Sequence, residues 1–531
     1  MTKIDRREFL GTAAIAAAGI VMGNAGDALG QRAARVFDPE EKSIAELIAA
    51  MQNGQTTSAA LTSAYIARIR TLDKKINSIV EINPDALAIA KQLDAEREQG
   101  RIRGPLHGIP VVLKDNIDTA DKMKTTAGSL ALMDAPVPKR DAYIVEQLRS
   151  AGAVILAKTN LSEWANFRDN NSSSGWSGRG GQTRNPYILD RNPCGSSSGS
   201  AVAIAASLAA AAIGTETDGS VVCPSSVNGI VGIKPTIGLV SRSGIIPIAA
   251  AQDTAGPMTR TVADAALMLS VIMGADARDE STKNEHALLE QDYTEFLKAD
   301  GLKGARIGVA RDYWDRRDDL DAVMNAAPDA MRKAGAVLVD VKFPNLRKFG
   351  DAEFLILQYE FKDGLAKYLA ERGSQYKNLD DLIAYNKANT VREVPYFGQD
   401  IFETSAKKGP LTSKEYLDAV ETARKFSREE GIDKAMDDNK LDAIVAPSNA
   451  PVWNIDLISG DCGSGYVSSS SMPAVAGYPN ITVPAGFIKE LPIGISFFGR
   501  AFSEGTLIKL AYSFEQATKA RRVPKFLATA G

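Results

Sequence analysis

Along the chain the apolar positions first repeat with a helical period and then contract into short runs. Ser43 and Glu46 have the spacing of a capping box, in which each side chain satisfies the other residue's backbone N–H, and they open an amphipathic helix through Met51. From Ser58 to about Leu72, Leu61, Tyr65 and Ile69 fall on one face, which predicts a second helix. Asn83-Pro84 places a cap and a first-turn proline before a third, running to Gln99. The pattern then changes. LHGIPVVLKDNID (106–118), GAVILAKTN (152–160), ARIGVA (305–310), AIVAPS (443–448), NITVPAG (480–486) and PIGISFFG (492–499) are short, β-branched and largely apolar. Strands covered on both faces read this way, because neither face meets water. Helical segments at 140–150, 261–273, 323–334 and 504–519 separate several of them. The prediction is an α/β fold: one large domain over residues 31–531, with a mixed β-sheet core covered by α-helices. The more charged stretch 275–427 is expected as a peripheral helical region.

The first 30 residues do not fit that pattern. Arg6-Arg7 precede Phe9-Leu10 and a short Ala/Gly/Ile/Val run to Met22, too short for the ~20 apolar residues of a membrane span. The twin arginines resemble a Tat-type signal peptide, with small residues at Gly23/Ala25 or Ala28/Gly30 for the peptidase. A periplasmic or secreted protein without stable membrane insertion is expected, monomeric or homodimeric. Net charge is −3 with no basic block, which argues against nucleic acid as a partner. The three cysteines form no C-x-x-C pair, so no metal site and no cofactor are expected. Cys194 and Cys223 are read as packed thiols, a bridge between them being the alternative after export.

The candidate chemistry centres on IGTETDGSVVCPSS (213–226), where Ser220 follows Asp218-Gly219. A serine becomes a nucleophile only when a base takes its proton. The chain has two histidines. His286 lies in a polar helical stretch, and His107 at a strand entrance, where a structural role is favoured. The G-x-S-x-G elbow is not formed, since Val222 stands two residues after Ser220. Lys114 differs from the chain's other lysines because it ends the apolar run IPVVL. Burial there disfavours the ammonium and makes the neutral amine a candidate base.

Lys114 in GIPVVLKDNID, Ser196 in CGSSSGSAVAIAA and Ser220 in TETDGSVVCP, with Ser220 lying 24 residues beyond Ser196, resemble the amidase signature family. NITVPAG, LPIGISFFG and LAYSFEQAT extend the likeness to the C-terminus, and LSEWANF, SGWSGRGGQTRNP and AQDTAGPM are most similar to peptide amidases. The resemblance implies the amidase signature fold and a Ser–Ser–Lys triad. In it Ser220 is the nucleophile, Lys114 the neutral base and Ser196, after a cis peptide bond, the relay between them. It also implies an oxyanion hole from the N–H groups of Thr217, Asp218, Gly219 and Ser220. The sequence departs from the commoner pattern at Cys194 and Ser198, which replace glycines, and at Asp218, where a glycine often stands. The serine-rich loop 172–182 is read either as flexible linker or as substrate cleft, with Ser172, Ser173 and Trp176 lining it.

Three functions compete on these residues. The first is an exported amidase that deamidates C-terminal peptide amides, with aryl, lipid or cyclic oligoamides as alternative substrates. The second is an A-like subunit of glutamyl-tRNA amidotransferase, a cytoplasmic assembly that a leader opposes. The third is a binding protein, which has no use for a lysine and two serines of this kind.

Overall fold

The computed structural model describes residues 37–289, 291–314, 317–462 and 467–530. The predicted leader lies outside them. Helix α1 (Ile44–Gln52) begins at Ser43, whose Oγ accepts from the Glu46 N–H while the Glu46 carboxylate accepts from the Ser43 N–H. In α2 (Ser58–Ile76) Leu61, Tyr65 and Ile69 are buried as their spacing predicts, and the helix runs a turn further than the sequence pattern reaches. Helix α3 (Ala86–Glu98) starts at Ala86 rather than at Pro84, because Asn83 closes a local turn by accepting from the Asp85 N–H. Helix α4 (Tyr143–Ser150) falls within the predicted segment 140–150 and buries Ile144, Val145 and Leu148.

Among the described residues eleven strands form one mixed sheet. They are β1 (Ile79–Ile82), β2 (Pro110–Lys114), β3 (Val154–Thr159), β6 (Ala211–Glu216), β7 (Val231–Lys234) and β8 (Thr254–Thr259), then β9 (Arg306–Ala310), β10 (Val337–Val341), β11 (Ala443–Pro447), β12 (Asn480–Ile488) and β13 (Leu491–Phe498). A separate hairpin pairs β4 (Trp176–Ser177) with β5 (Gly181–Gln182). The strand order is β1-β3-β2-β6-β8-β7-β12-β13-β11-β9-β10. β2 runs parallel to both β3 and β6, whereas β6, β8, β7, β12, β13 and β11 pair antiparallel in succession. Every residue of β2, β3 and β6 is buried, which is why the first two read as unbroken apolar runs.

Helix α5 (Ser198–Ala205), built from Ser, Gly, Ala, Val and Ile, is buried along its whole length against β2, β3 and β6. Its small residues permit the approach: a Cβ on Gly199 would stand 2.3 Å from the Ser78 carbonyl oxygen. The stretch 275–427 holds long helices, among them Gly350–Arg372, but also β9 and β10 of the central sheet. It is therefore part of the core architecture as well as its cover. Among the described residues no helix is long and apolar enough to cross a membrane.

Candidate active site

Strands β2 and β6 run parallel with Leu113 opposite Ile213, so both deliver their carboxyl ends to the same edge of the sheet. Open α/β sheets keep their sites at that edge. Lys114, the last residue of β2, is fully buried. Its Nζ lies 2.8 Å from Ser196 Oγ, 2.9 Å from Thr215 Oγ1 and 3.0 Å from the Thr215 carbonyl oxygen. Burial pushes the amine down to about 7, against the opposing pull of the Asp253 and Glu216 carboxylates. A neutral amine has two N–H groups and one lone pair. In that neutral form the two Thr215 oxygens can accept both N–H groups, which leaves the lone pair for the Ser196 hydroxyl. Asn116 Nδ2 fixes Thr215 Oγ1 from the other side at 2.9 Å.

Ser196 follows a cis peptide bond from Gly195. Its neighbour Ser197 ties the region together. Ser197 Oγ donates to the Thr215 carbonyl at 3.0 Å and accepts from the Thr215 N–H at 3.2 Å, while the Ser197 N–H donates to the Ser220 carbonyl at 3.1 Å. Lys114, Ser196 and Ser220 are thus brought to one place by two parallel strands and the start of α5. The turn after β6 needs Gly219, whose φ of 76° is left-handed. Helix α6 (Val222–Val227) follows, its first N–H groups held by the Glu216 carboxylate at 2.7 and 2.9 Å. Among the described residues the N–H groups of Asp218, Gly219 and Ser220 donate to no protein acceptor, leaving three donors available at one turn.

The reading of Cys194 and Cys223 as packed thiols is corrected: they form a disulfide. One sulfur stands two residues before Ser196 and the other in α6, three residues after Ser220, so the bridge ties the Ser196 segment to the helix that follows the Ser220 turn. Cys462 is free and exposed.

A cavity of about 450 Å³ opens beside these groups, lined by Asn116, Thr215, Thr217, Asp253, Ile246 and Glu360 among others. Asp253 accepts from Thr217 Oγ1 at 2.6 Å, and burial pushes its carboxyl up to about 6. A smaller recess is lined by Asn116, Trp164, Ala165 and Ile246. Asn116 Oδ1 and Trp164 Nε1 are buried without a hydrogen-bond partner among the described residues. Ser172, Ser173 and Trp176 line neither space: Trp176 packs edge-on against Tyr396 and Phe397, with the Arg168 guanidinium over its ring. His107 is likewise remote from Ser220, its ring bonded to the Arg103 N–H and to the Leu93 carbonyl. His286 stacks on Phe502. The sequence reading did not single out Thr215, Asn116, Thr217's partner Asp253 or Glu360. Thr215 and Asn116 carried a local signal, five residues before Ser220 and two after Lys114. The other two reach the site only through tertiary folding.

The family model for Amidase matches residues 60–508. A probable amidase of Arabidopsis thaliana is 41% identical over 508 residues, covering 94% of each chain. The A-type component of the glutamyl-tRNA(Gln) amidotransferase of Carboxydothermus hydrogenoformans is 36% identical over 86% of this chain and 93% of that protein. The solved native peptide amidase of Stenotrophomonas maltophilia is 49% identical and superposes with a TM-score of 0.87, covering 92% of this chain and 99% of that one. The chain belongs to the amidase signature family and is an amidohydrolase with that family's α/β fold.

Proposed function

We propose that Ser220, Ser196 and Lys114 form a proton-relay triad that cleaves the terminal carboxamide of C-terminally amidated peptides. The observation that carries the reading is the buried Lys114 amine hydrogen-bonded to Ser196 Oγ at 2.8 Å, with Ser197 bonded to the Ser220 carbonyl. Ser220 Oγ adds to the carboxamide carbon, and its proton passes through Ser196 Oγ to Lys114 Nζ. Negative charge developing on the carbonyl oxygen is met by the turn N–H groups of residues 218–220. The same proton returns through Ser196 to the nitrogen, the C–N bond breaks and ammonia leaves. Water then hydrolyses the Ser220 ester by the same relay.

A peptide substrate is supported by the likeness to a peptide amidase and by two unpartnered polar atoms at a small, mostly apolar recess that shares Asn116 with the larger cavity. Asn116 Oδ1 is a buried acceptor and Trp164 Nε1 a buried donor, the pair of groups that a peptide unit complements. Purified enzyme, assayed for ammonia release against peptide, aryl, lipid and cyclic oligoamides, tests this. Peptide amides are expected to show the highest kcat/KM; a much higher value for aryl or lipid amides rejects the substrate. A serine-directed fluorophosphonate is expected on Ser220 by peptide mapping, and a label elsewhere with loss of activity rejects the nucleophile.

The identity to the amidotransferase component supports a second reading, glutamine hydrolysis within a larger assembly. Export speaks against it. Arg6-Arg7 ahead of the short apolar run support delivery to the periplasm, and the Cys194–Cys223 disulfide suits an oxidising compartment. Replacing both arginines by lysine is expected to leave unprocessed protein inside the cell; normal export of that variant rules out the twin-arginine route.

A further inference from the structure

The turn that carries Ser220 is held from outside by a residue far away in the chain. Glu353 lies on the helix Gly350–Arg372 and is buried there. Its carboxyl group lies beside the Asp218 side chain, two residues before Ser220, close enough for the two to interact electrostatically. Its Oε1 also accepts from Gln252 Nε2 at 2.9 Å, and the same Gln252 amide donates to the Thr217 carbonyl at 3.2 Å. Asp218 accepts from Ser470 Oγ and Ser471 Oγ, each at 2.6 Å. Two of the four residues in the turn are therefore clamped by one network, and Glu353 is the member that touches both arms of it.

Two neighbouring carboxyl groups, Glu353 buried and Asp218 half-buried, resist ionising together and share a proton. The surroundings decide which one keeps it. Asp218 has two hydroxyl donors and feels the Lys234 ammonium, with the Glu216 carboxylate and the Tyr313 hydroxyl as the other titratable groups facing it. Among the described residues Glu353 accepts from the Gln252 amide and faces the Asp218 charge. Its ionisation is pushed well above the usual carboxylate range by burial first and by Asp218 second.

We propose that protonated Glu353 is a positioning residue for the oxyanion turn, donating its proton to Asp218 and, through Gln252, fixing the Thr217 carbonyl. It rests on the reading of Ser220 as nucleophile. Residues 217 and 218 are the first half of the turn, so fixing them orients the N–H groups of Asp218, Gly219 and Ser220. Loss of the shared proton at alkaline pH places two negative charges side by side and loosens the turn. Glutamine at 353 keeps both a donor and an acceptor in the same outline and cannot ionise. Alanine keeps neither.

The test is the second-order rate of fluorophosphonate labelling, mapped to its peptide, from pH 6 to about 10.5. It needs no amide substrate. Wild type is expected to label on Ser220 with a rate that rises and then falls with pH. Glu353→Gln is expected to stay within about threefold of wild type at neutral pH and to lose the alkaline fall. Glu353→Ala is expected to label at least about tenfold more slowly, through the maximal inactivation rate and not through probe affinity. An alkaline fall unchanged in Glu353→Gln, a tenfold loss in that variant at neutral pH, or near wild-type labelling of Glu353→Ala overturns the inference. If the alanine variant does not fold, the pH profile of the glutamine variant decides alone. Failure of wild type to label at Ser220 overturns the nucleophile reading, and this inference with it.

Discussion

Replacing Lys114 separates its chemical role from its structural cost. An ordinary lysine is neutral in only about one molecule in 2,500 at pH 7, a deficit of roughly 4–5 kcal/mol for any reaction that needs the free amine. Burial at the end of β2 lowers the ionisation of Lys114 from 10.5 to about 7, so near neutral pH about half the molecules hold the free base. kcat/KM for carboxamide hydrolysis is therefore expected to rise about tenfold per pH unit below 7 and to level above it, before the alkaline fall expected from Glu353. Lys114→Ala is expected to lower kcat by several orders of magnitude, comparably to Ser220→Ala, because members of a relay act as a unit. Lys114→Arg is expected to be as inactive, since a guanidinium does not give up its proton.

The same burial has an opposite consequence for stability. Because the folded-state value lies below the unfolded one, the unfolded chain binds more protons between about pH 7 and 10.5, and stability rises with pH through that window. At pH 6 the native state carries a buried charge whose cost approaches the same 4–5 kcal/mol, offset by three hydrogen bonds of about 1 kcal/mol each. Lys114→Met is then expected to be inactive yet more stable than wild type at pH 6 by about 1–2 kcal/mol. Urea unfolding at pH 6 and pH 9 and an ammonia-release assay on the same preparations measure both. Flat activity from pH 5 to 8, Lys114→Ala within tenfold of wild type, or a methionine variant less stable at pH 6 than at pH 9 relative to wild type would refute the reasoning.

Reducing the Cys194–Cys223 bridge, or replacing both cysteines by alanine, releases a loop with ends 29 residues apart and is expected to cost about 3–4 kcal/mol in urea unfolding; an unchanged midpoint contradicts this. His107→Ala is expected to lose stability, about 1–3 kcal/mol through one buried and one part-buried hydrogen bond, with kcat unchanged in the folded fraction; loss of turnover in folded protein would restore histidine as the base. Gly199→Ala drives a Cβ into the Ser78 and Asn160 backbone at 2.3 and 2.6 Å and is expected to lower stability by about 3 kcal/mol and activity with it, measured by melting temperature and kcat together.

What the sequence discloses and what it hides follow one physical division. Strands buried on both faces and rich in Val, Ile and Phe, such as β2, β3, β13 and the first half of β12, announce themselves because their pattern has no other use. Strand β6 does not, since AAIGTE continues the alanine-rich run of α5 and alanine favours helix over strand. That strand is nevertheless the one that carries Thr215 to Lys114 and leads into the Ser220 turn. The burial of Lys114 is legible in IPVVL because desolvation is a property of the strand around it. The loop at 172–176 reads as polar and open because its serines and glycines are small, but Trp176 closes it against Tyr396 and Phe397, aromatics from a part of the chain more than two hundred residues on. The disulfide is hidden for the same reason: two cysteines near two serines declare proximity only once those serines are known to share a site. Asp218 shows the limit most clearly. Beside a candidate nucleophile an acidic residue in place of glycine reads as a departure, and its partners Ser470, Ser471 and Glu353 come from two separate segments, with Gln252, which joins Glu353 to Thr217, from a third. No local pattern links them, because contacts between segments more than a hundred residues apart are written in distance and burial, which the linear order of residues does not carry.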